Sequence, residues 1–221
     1  MTIQTSKTYT GYIITLVMDE LKSNTRTDSV VNTYLTPKFA GYIALVSIFQ
    51  FIICVSIGAI ADPEWELFEN TLCHLGVSDI GFIKVLYPIT CTILGIGAMF
   101  FGRIVSMYSI HKLQIIGYNI CILFGISLIG IGVISIDIDY TLHMIFVYIM
   151  GTSAGFVIGL TSIDDFRNGN RYSLPYFIFV MLFFLYFTFF DMRYQQPFVY
   201  VAMCIWLFVK CHHLISTDTA Y

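Results

Sequence analysis

The chain has 221 residues and a formal net charge of -3; 57% of its residues are hydrophobic and 11% charged, with a mean hydropathy of +0.80. A soluble domain carries about 25% charged residues, so this composition excludes a water-covered globular domain and points to one integral membrane domain. The balance is slightly acidic with no basic block, which excludes nucleic acid as a partner.

Residues 1–38 read as a cytoplasmic N-terminal segment. Tyr12, Ile13, Leu16, Val17 and Leu21 follow helical spacing, which predicts a short amphipathic helix at an interface or against a partner subunit. The apolar run from Tyr12 to Met18 stops at Asp19-Glu20 and is short for a cleavable signal, so the first spanning helix is expected to direct insertion.

Six apolar runs follow: Phe39 to Ala61, Ile80 to Phe101, Leu113 to Ile136, Tyr140 to Ile163, Tyr176 to Phe190 and Phe198 to Leu214. A spanning helix needs about 20 apolar residues, so the first four qualify directly and the last two need a little of their flanks. The expected fold class is therefore all-α: a bundle of six transmembrane helices over 39–214, with a cytoplasmic tail at 215–221. The loops are short, except for the stretch from Asp62 to Asp79. That stretch holds Asp62, Glu64, Glu66, Glu69, Asp79 and His74, with Trp65 and Phe68 as amphipathic aromatics. Glu66 to Gly76 reads as a short interfacial helix ended by Gly76, with Trp65 and Phe68 at headgroup level. Ser78 or Asp79 is expected to cap the second helix.

Orientation follows from lysine and arginine. Lys7, Lys22, Arg26, Lys38, Arg103, Lys112, Arg167, Arg171 and Lys210 fall on one side, whereas Lys84 and Arg193 fall on the other. The expectation is a multi-pass plasma-membrane protein with both termini cytoplasmic and the stretch from Asp62 to Asp79 outside, as an interfacial helix between helices 1 and 2.

Gly151, Gly155 and Gly159 recur every four residues in the fourth run, a spacing that lets helix backbones approach closely in lipid. Gly95, Gly97, Gly125, Gly130 and Gly132 are expected to do similar work. The six cysteines form no CxxC motif, so neither a disulfide framework nor a thiolate zinc site is indicated.

The sharpest chemical pattern is Asp139-x-x-x-His143, which puts a carboxylate and an imidazole on one helix face. Two kinds of reading fit. Asp137 and Asp139 can cap the fourth helix while His143 bonds across to a neighbour. Alternatively, His143, Asp139 and His74 are catalytic. They would then form a polar pocket without metal, or a divalent metal such as zinc would be held by His143, Asp139, His74 and Asp191, with an open position to activate water. Asp191 also reads as an exposed loop acid beside Arg193.

The run His74-Leu75-Gly76-Val77-Ser78-Asp79 precedes a glycine-rich second helix. Gly132-Val133-Ile134-Ser135-Ile136-Asp137 closes the third, and His143 follows in the fourth. This pattern resembles a six-helix prokaryotic membrane family catalogued as domain of unknown function nine-nine-eight. That family is itself distantly similar to the Frag1 and DRAM membrane proteins, some of which are linked to lipid-anchor remodelling. The chain departs from the pattern at Ile134-Ser135, where the family has Phe-Pro, and at Tyr87-Pro88, where an asparagine is expected. A weaker similarity is to membrane hydrolases of the alkaline ceramidase type, but the late histidines His212 and His213 are adjacent and on the opposite side from His143.

The sequence thus supports an outward-facing acidic and histidine-containing pocket that binds or processes a membrane lipid or another amphiphile. A non-catalytic subunit of a larger complex, contacting partners through the N-terminal segment and helices 5 and 6, is the alternative. A small transporter is a third, opposed by the lack of any mid-span acid.

Overall fold

The computed structural model describes residues 36–67, 69–188 and 192–216. The expected N-terminal amphipathic helix, Phe68, Asp191 and the last residues of the tail lie outside that set. From Pro37 onward the chain forms one compact unit.

Its elements are α1 (Pro37–Ala61), a 3-10 turn (Leu72–Val77), α2 (Gly81–Tyr108), α3 (Lys112–Val133), α4 (Tyr140–Arg167), α5 (Ser173–Thr188) and α6 (Met192–Ser216). Each helix packs on the next and α6 packs back on α1, so the helices make a ring. Among the described residues no strand forms; Leu67 and Asn70 make only an isolated bridge. α1 to α4 are long and apolar enough to cross a membrane, while α5 and α6 carry the shorter apolar stretches Ser173–Leu182 and Tyr200–Ser216. Apolar side chains cover the outside, among them Ile60, Val46 and Phe156. This is a membrane-type helical bundle.

The tightest seam lies between α2 and α3. A Cβ at Gly95 would stand 2.6 Å from the Gly125 carbonyl oxygen, and one at Gly125 would strike the Gly95 oxygen. Farther along, a Cβ at Gly102 would strike the Tyr118 oxygen, and one at Gly132 would stand 2.8 Å from Cys91 Cβ and 3.1 Å from the Pro88 backbone. Four glycines therefore let two backbones touch, the close approach that packing in lipid favours. Gly97 makes room for Ser47 of α1, and Gly130 for the Phe146 ring of α4.

The α4 glycines behave otherwise. Among the described residues no atom lies within 4 Å of a Cβ built on Gly151 or Gly155; Gly159 alone of the three is pressed, by the Phe177 ring of α5 at 2.9 Å. Spacing in sequence marks a smooth helix face, but which neighbour fills that face depends on helix order, and at Gly151 and Gly155 no described residue fills it.

Two boundaries also differ. α2 runs on through Arg103 to Tyr108, because Ile104 and Val105 behind that exposed arginine are buried. The helix expected over Glu66 to Gly76 is the shorter 3-10 turn Leu72–Val77. Its preceding residues fold instead on Asp62, whose carboxylate accepts from the Glu64 N–H at 3.0 Å, and on Asn70, whose side chain donates to the Glu64 carbonyl at 2.9 Å. Gly76 has no left-handed backbone, since among the described residues only Gly169 has a positive φ. Its lack of a side chain matters because a Cβ there would stand 3.0 Å from the Tyr87 ring.

Candidate functional site

One end of the bundle gathers the C-terminus of α1, the 3-10 turn, the start of α2 and the α3–α4 turn; we call it the cap end. The 3-10 turn lies on it through Leu72, Cys73 and Leu75, all buried in the same core as Ile83, Tyr87 and Ile131. Trp65 packs against that core and its indole N–H donates to the Thr71 carbonyl at 3.1 Å, so the ring clamps the turn to the bundle. Below, the Tyr87 hydroxyl donates to Cys73 Sγ at 3.6 Å. Ser78 Oγ accepts from the Ile80 N–H at 3.2 Å as the chain enters α2.

His74 is exposed. Its Nδ1 accepts from the Thr71 N–H at 3.1 Å and lies 2.8 Å from the Thr71 hydroxyl. An amide can only donate, so this nitrogen carries no proton and the imidazole is held as a local cap for the 3-10 turn.

The α3–α4 turn separates its two acids. Asp137 reaches across to Lys84 of α2 at 3.0 Å and also accepts from the Ser135 hydroxyl. The Ser135 hydroxyl first, and the Lys84 ammonium second, hold its carboxyl below the usual carboxylate range. Asp139 caps α4, with its carboxylate accepting from the Leu142 N–H at 3.0 Å.

His143 sits one turn farther along and is 1% exposed. Its Nδ1 lies 2.5 Å from the Ile134 carbonyl oxygen. A carbonyl only accepts, so Nδ1 carries the proton and the ring hangs from the end of α3. Its Nε2 is buried with no partner among the described residues. Leaving a buried acceptor unmatched costs about 1–3 kcal/mol. The ring is thus held in one tautomer with a bare nitrogen turned into the protein.

The three expected site residues are therefore dispersed in role. His74 ties the 3-10 turn, Asp139 caps a helix, and His143 alone is buried and short of a partner. Among the described residues no three His, Cys, Asp or Glu side chains gather to hold a metal ion.

Between the helices runs a cavity of about 50 Å³. Its wall is Ala44, Ser47, Ile48 and Phe51 of α1, Leu94 and Ala98 of α2, Phe124 of α3, Met150, Gly151 and Ala154 of α4, and Tyr200, Met203, Cys204 and Leu207 of α6. The Ser47 hydroxyl turns away, onto the Ile43 carbonyl at 2.9 Å, so the wall is apolar. Phe51 and Tyr200 stack across it with ring centres 5.6 Å apart. Sequence reasoning missed this cavity. Ala44, Ser47, Ile48 and Phe51, and again Tyr200, Met203, Cys204 and Leu207, share the helical spacing i, i+3, i+4, i+7, but in an all-apolar run that stripe has no polar background to stand against.

Two polar links cross the bundle away from the cap end. Gln50 of α1 donates to Thr90 Oγ1 of α2 at 2.8 Å. At the far end Lys210 of α6 pairs with Asp165 of α4, which also accepts from Gln114 of α3 at 3.3 Å.

No curated protein and no solved structure matches the chain. A family model does match, over residues 45–213, from within α1 to near the end of α6, and so takes in the cap end, His143 and all of the cavity wall but Ala44. The chain belongs to that family, described as protein of unknown function, DUF998.

Proposed function

We propose that this is a six-span plasma-membrane protein, with both termini cytoplasmic and the cap end outside, that holds a lipid or other amphiphile between its helices. The observation that carries the reading is the apolar cavity bounded by α1, α4 and α6. In a bilayer such a space is filled most readily by hydrocarbon, because an apolar cavity keeps water out. Its present volume holds a short length of chain. Met150 and Met203 in its wall are unbranched and can swing to lengthen it. On the α4 side of the wall, at Gly151, no neighbour among the described residues has to be displaced.

The test uses a photoreactive fatty-acyl phospholipid in proteoliposomes. The wild type should cross-link through residues of the cavity wall. Gly151→Leu fills the cavity and should cut cross-linking several-fold. Gly155→Leu, one turn away and outside the wall, should not. Equal labelling of all three proteins, or labelling confined to the outer helix surfaces, would sink the reading. The orientation has its own test: a cysteine placed at Glu69 should react with an impermeant maleimide added outside intact cells, and labelling from the cytoplasm alone would reverse the topology.

A further inference from the structure

We propose that His143 Nε2 accepts a hydrogen bond from the hydroxyl head group of an uncharged amphiphile whose chain lies in the cavity. The inference rests on the reading that the cavity holds such a molecule, and it adds which head group is chosen. The first ground is polarity. Because Nδ1 donates to the Ile134 carbonyl, Nε2 offers only a lone pair, and it has no partner among the described residues. A ligand that satisfies it must bring a donor.

The second ground is placement. His143, Val147, Met150 and Ala154 follow the spacing i, i+4, i+7, i+11, so they lie along one stripe of α4. Met150 and Ala154 are in the cavity wall. At 1.5 Å per residue, His143 stands about 10 Å nearer the cap end than Met150. A head group at His143 with a chain running inward past Val147 spans that distance.

The third ground is charge. Around this end stand Glu64, Glu66, Glu69, Asp79 and Asp139, all but Asp139 from the stretch between α1 and α2. Among the described residues, Lys84 is the lysine at this end, and it is paired with Asp137. A phosphate would meet acids and a lone pair; a hydroxyl meets an acceptor.

The experiment measures equilibrium binding to the full-length protein in phosphatidylcholine nanodiscs. The probes are dioleoylglycerol, its O-methyl ether and dioleoyl phosphatidate. The ether keeps both chains and loses the donor. Its affinity should fall about tenfold, the value of one neutral hydrogen bond, and phosphatidate should bind no better than the ether. His143→Asn can keep a donor toward Ile134 but has no acceptor at the far side of the ring, so it should erase the preference for the alcohol. His143→Gln places an amide oxygen near the Nε2 position and should preserve much of that preference even if it is less stable. Equal binding of alcohol and ether would overturn the inference and leave the cavity reading standing. Failure of both to bind would overturn the two together. Tighter binding of phosphatidate, an unchanged preference in His143→Asn, or stoichiometric zinc bound through His143 would each overturn the inference.

Discussion

The α2–α3 seam yields a quantitative test of the packing argument. At Gly95 a methyl group would stand 2.6 Å from the Gly125 oxygen and 2.8 Å from Ile129 Cγ1. A carbon and an oxygen settle at about 3.3 Å, so the two backbones must part by roughly 0.7 Å, and the oxygen cannot swing aside as a side chain can. Overpacking of this kind costs about 1–3 kcal/mol; the backbone obstacle puts Gly95→Ala at the upper end. Alanine recovers about 1 kcal/mol of helix propensity, leaving a net loss of about 2 kcal/mol. Gly125→Ala meets the Gly95 oxygen and should lose a similar amount. Both changes force the same separation, so the double variant should lose clearly less than the sum of the two. Gly151→Ala and Gly155→Ala meet no described atom and should be neutral or slightly stabilising. Reversible unfolding in mixed micelles, followed by tryptophan fluorescence, reads all five. A Gly95→Ala protein as stable as wild type, or a double variant that is simply additive, would refute the reasoning.

Three other perturbations probe separate contacts. The Asp137 carboxyl is held below its ordinary value of about 3.9 by Ser135 and Lys84, so its contribution is present above that value and is lost as pH falls through the lower folded one. The stability difference between wild type and Asp137→Asn should therefore be constant near neutral pH, begin to shrink near about pH 4 and vanish only below the lowered folded value, as a pH series of unfolding curves would show. Lys210→Met leaves Asp165 facing Gln114 with its charge largely uncompensated in a site where it is 17% exposed; a loss of about 2 kcal/mol is expected, with Lys210→Met/Asp165→Leu regaining much of it. Thr90→Val strips Gln50 of its cross-helix acceptor, and at 0% exposure should cost about 1 kcal/mol in the same assay.

Much of the architecture was readable from hydropathy alone. The apolar runs and the α3–α4 turn match helices and turn, because a chain in lipid must satisfy its backbone within each helix. The family resemblance carried by His74 to Asp79 and by the Gly132 to His143 stretch agrees with the family match. Contacts between helices were less readable. The glycine spacing of α4 gave the same signal as a packed face, yet Gly95 and Gly125, with no repeat to announce them, make the closer approach. Lys84 and Asp137 are 53 residues apart, and only the adjacency of α2 to the α3–α4 turn brings them together. At the site, the Asp139–His143 spacing suggested one shared helix face, but Asp139 is the extended, exposed N-cap and His143 is buried one turn inside. The spacing could not tell that the carboxylate would turn to the Leu142 amide and the imidazole to the Ile134 carbonyl.

These contacts divide the bundle into a rigid part and a yielding part. α2 and α3 are pressed backbone to backbone, and α1 is tied to α2 by Gln50 and by Ser47 seated over Gly97. α6 is joined differently. At the far end it meets α1, where a Cβ at Gly41 would stand 3.2 Å from Ile215, and it meets α4 through the Lys210–Asp165 pair. Toward the cap end its Tyr200 stacks on Phe51 of α1, while Met203 and Cys204 line the cavity with Met150 and Ala154 of α4. On the proposed reading, hydrocarbon would enter the cavity on its α6 side, away from the glycine seam. On that reading Lys210→Met, which frees α6 from Asp165 of α4, should speed exchange of a bound acyl chain while leaving the α2–α3 seam intact, whereas Gly95→Ala should weaken the seam without speeding exchange.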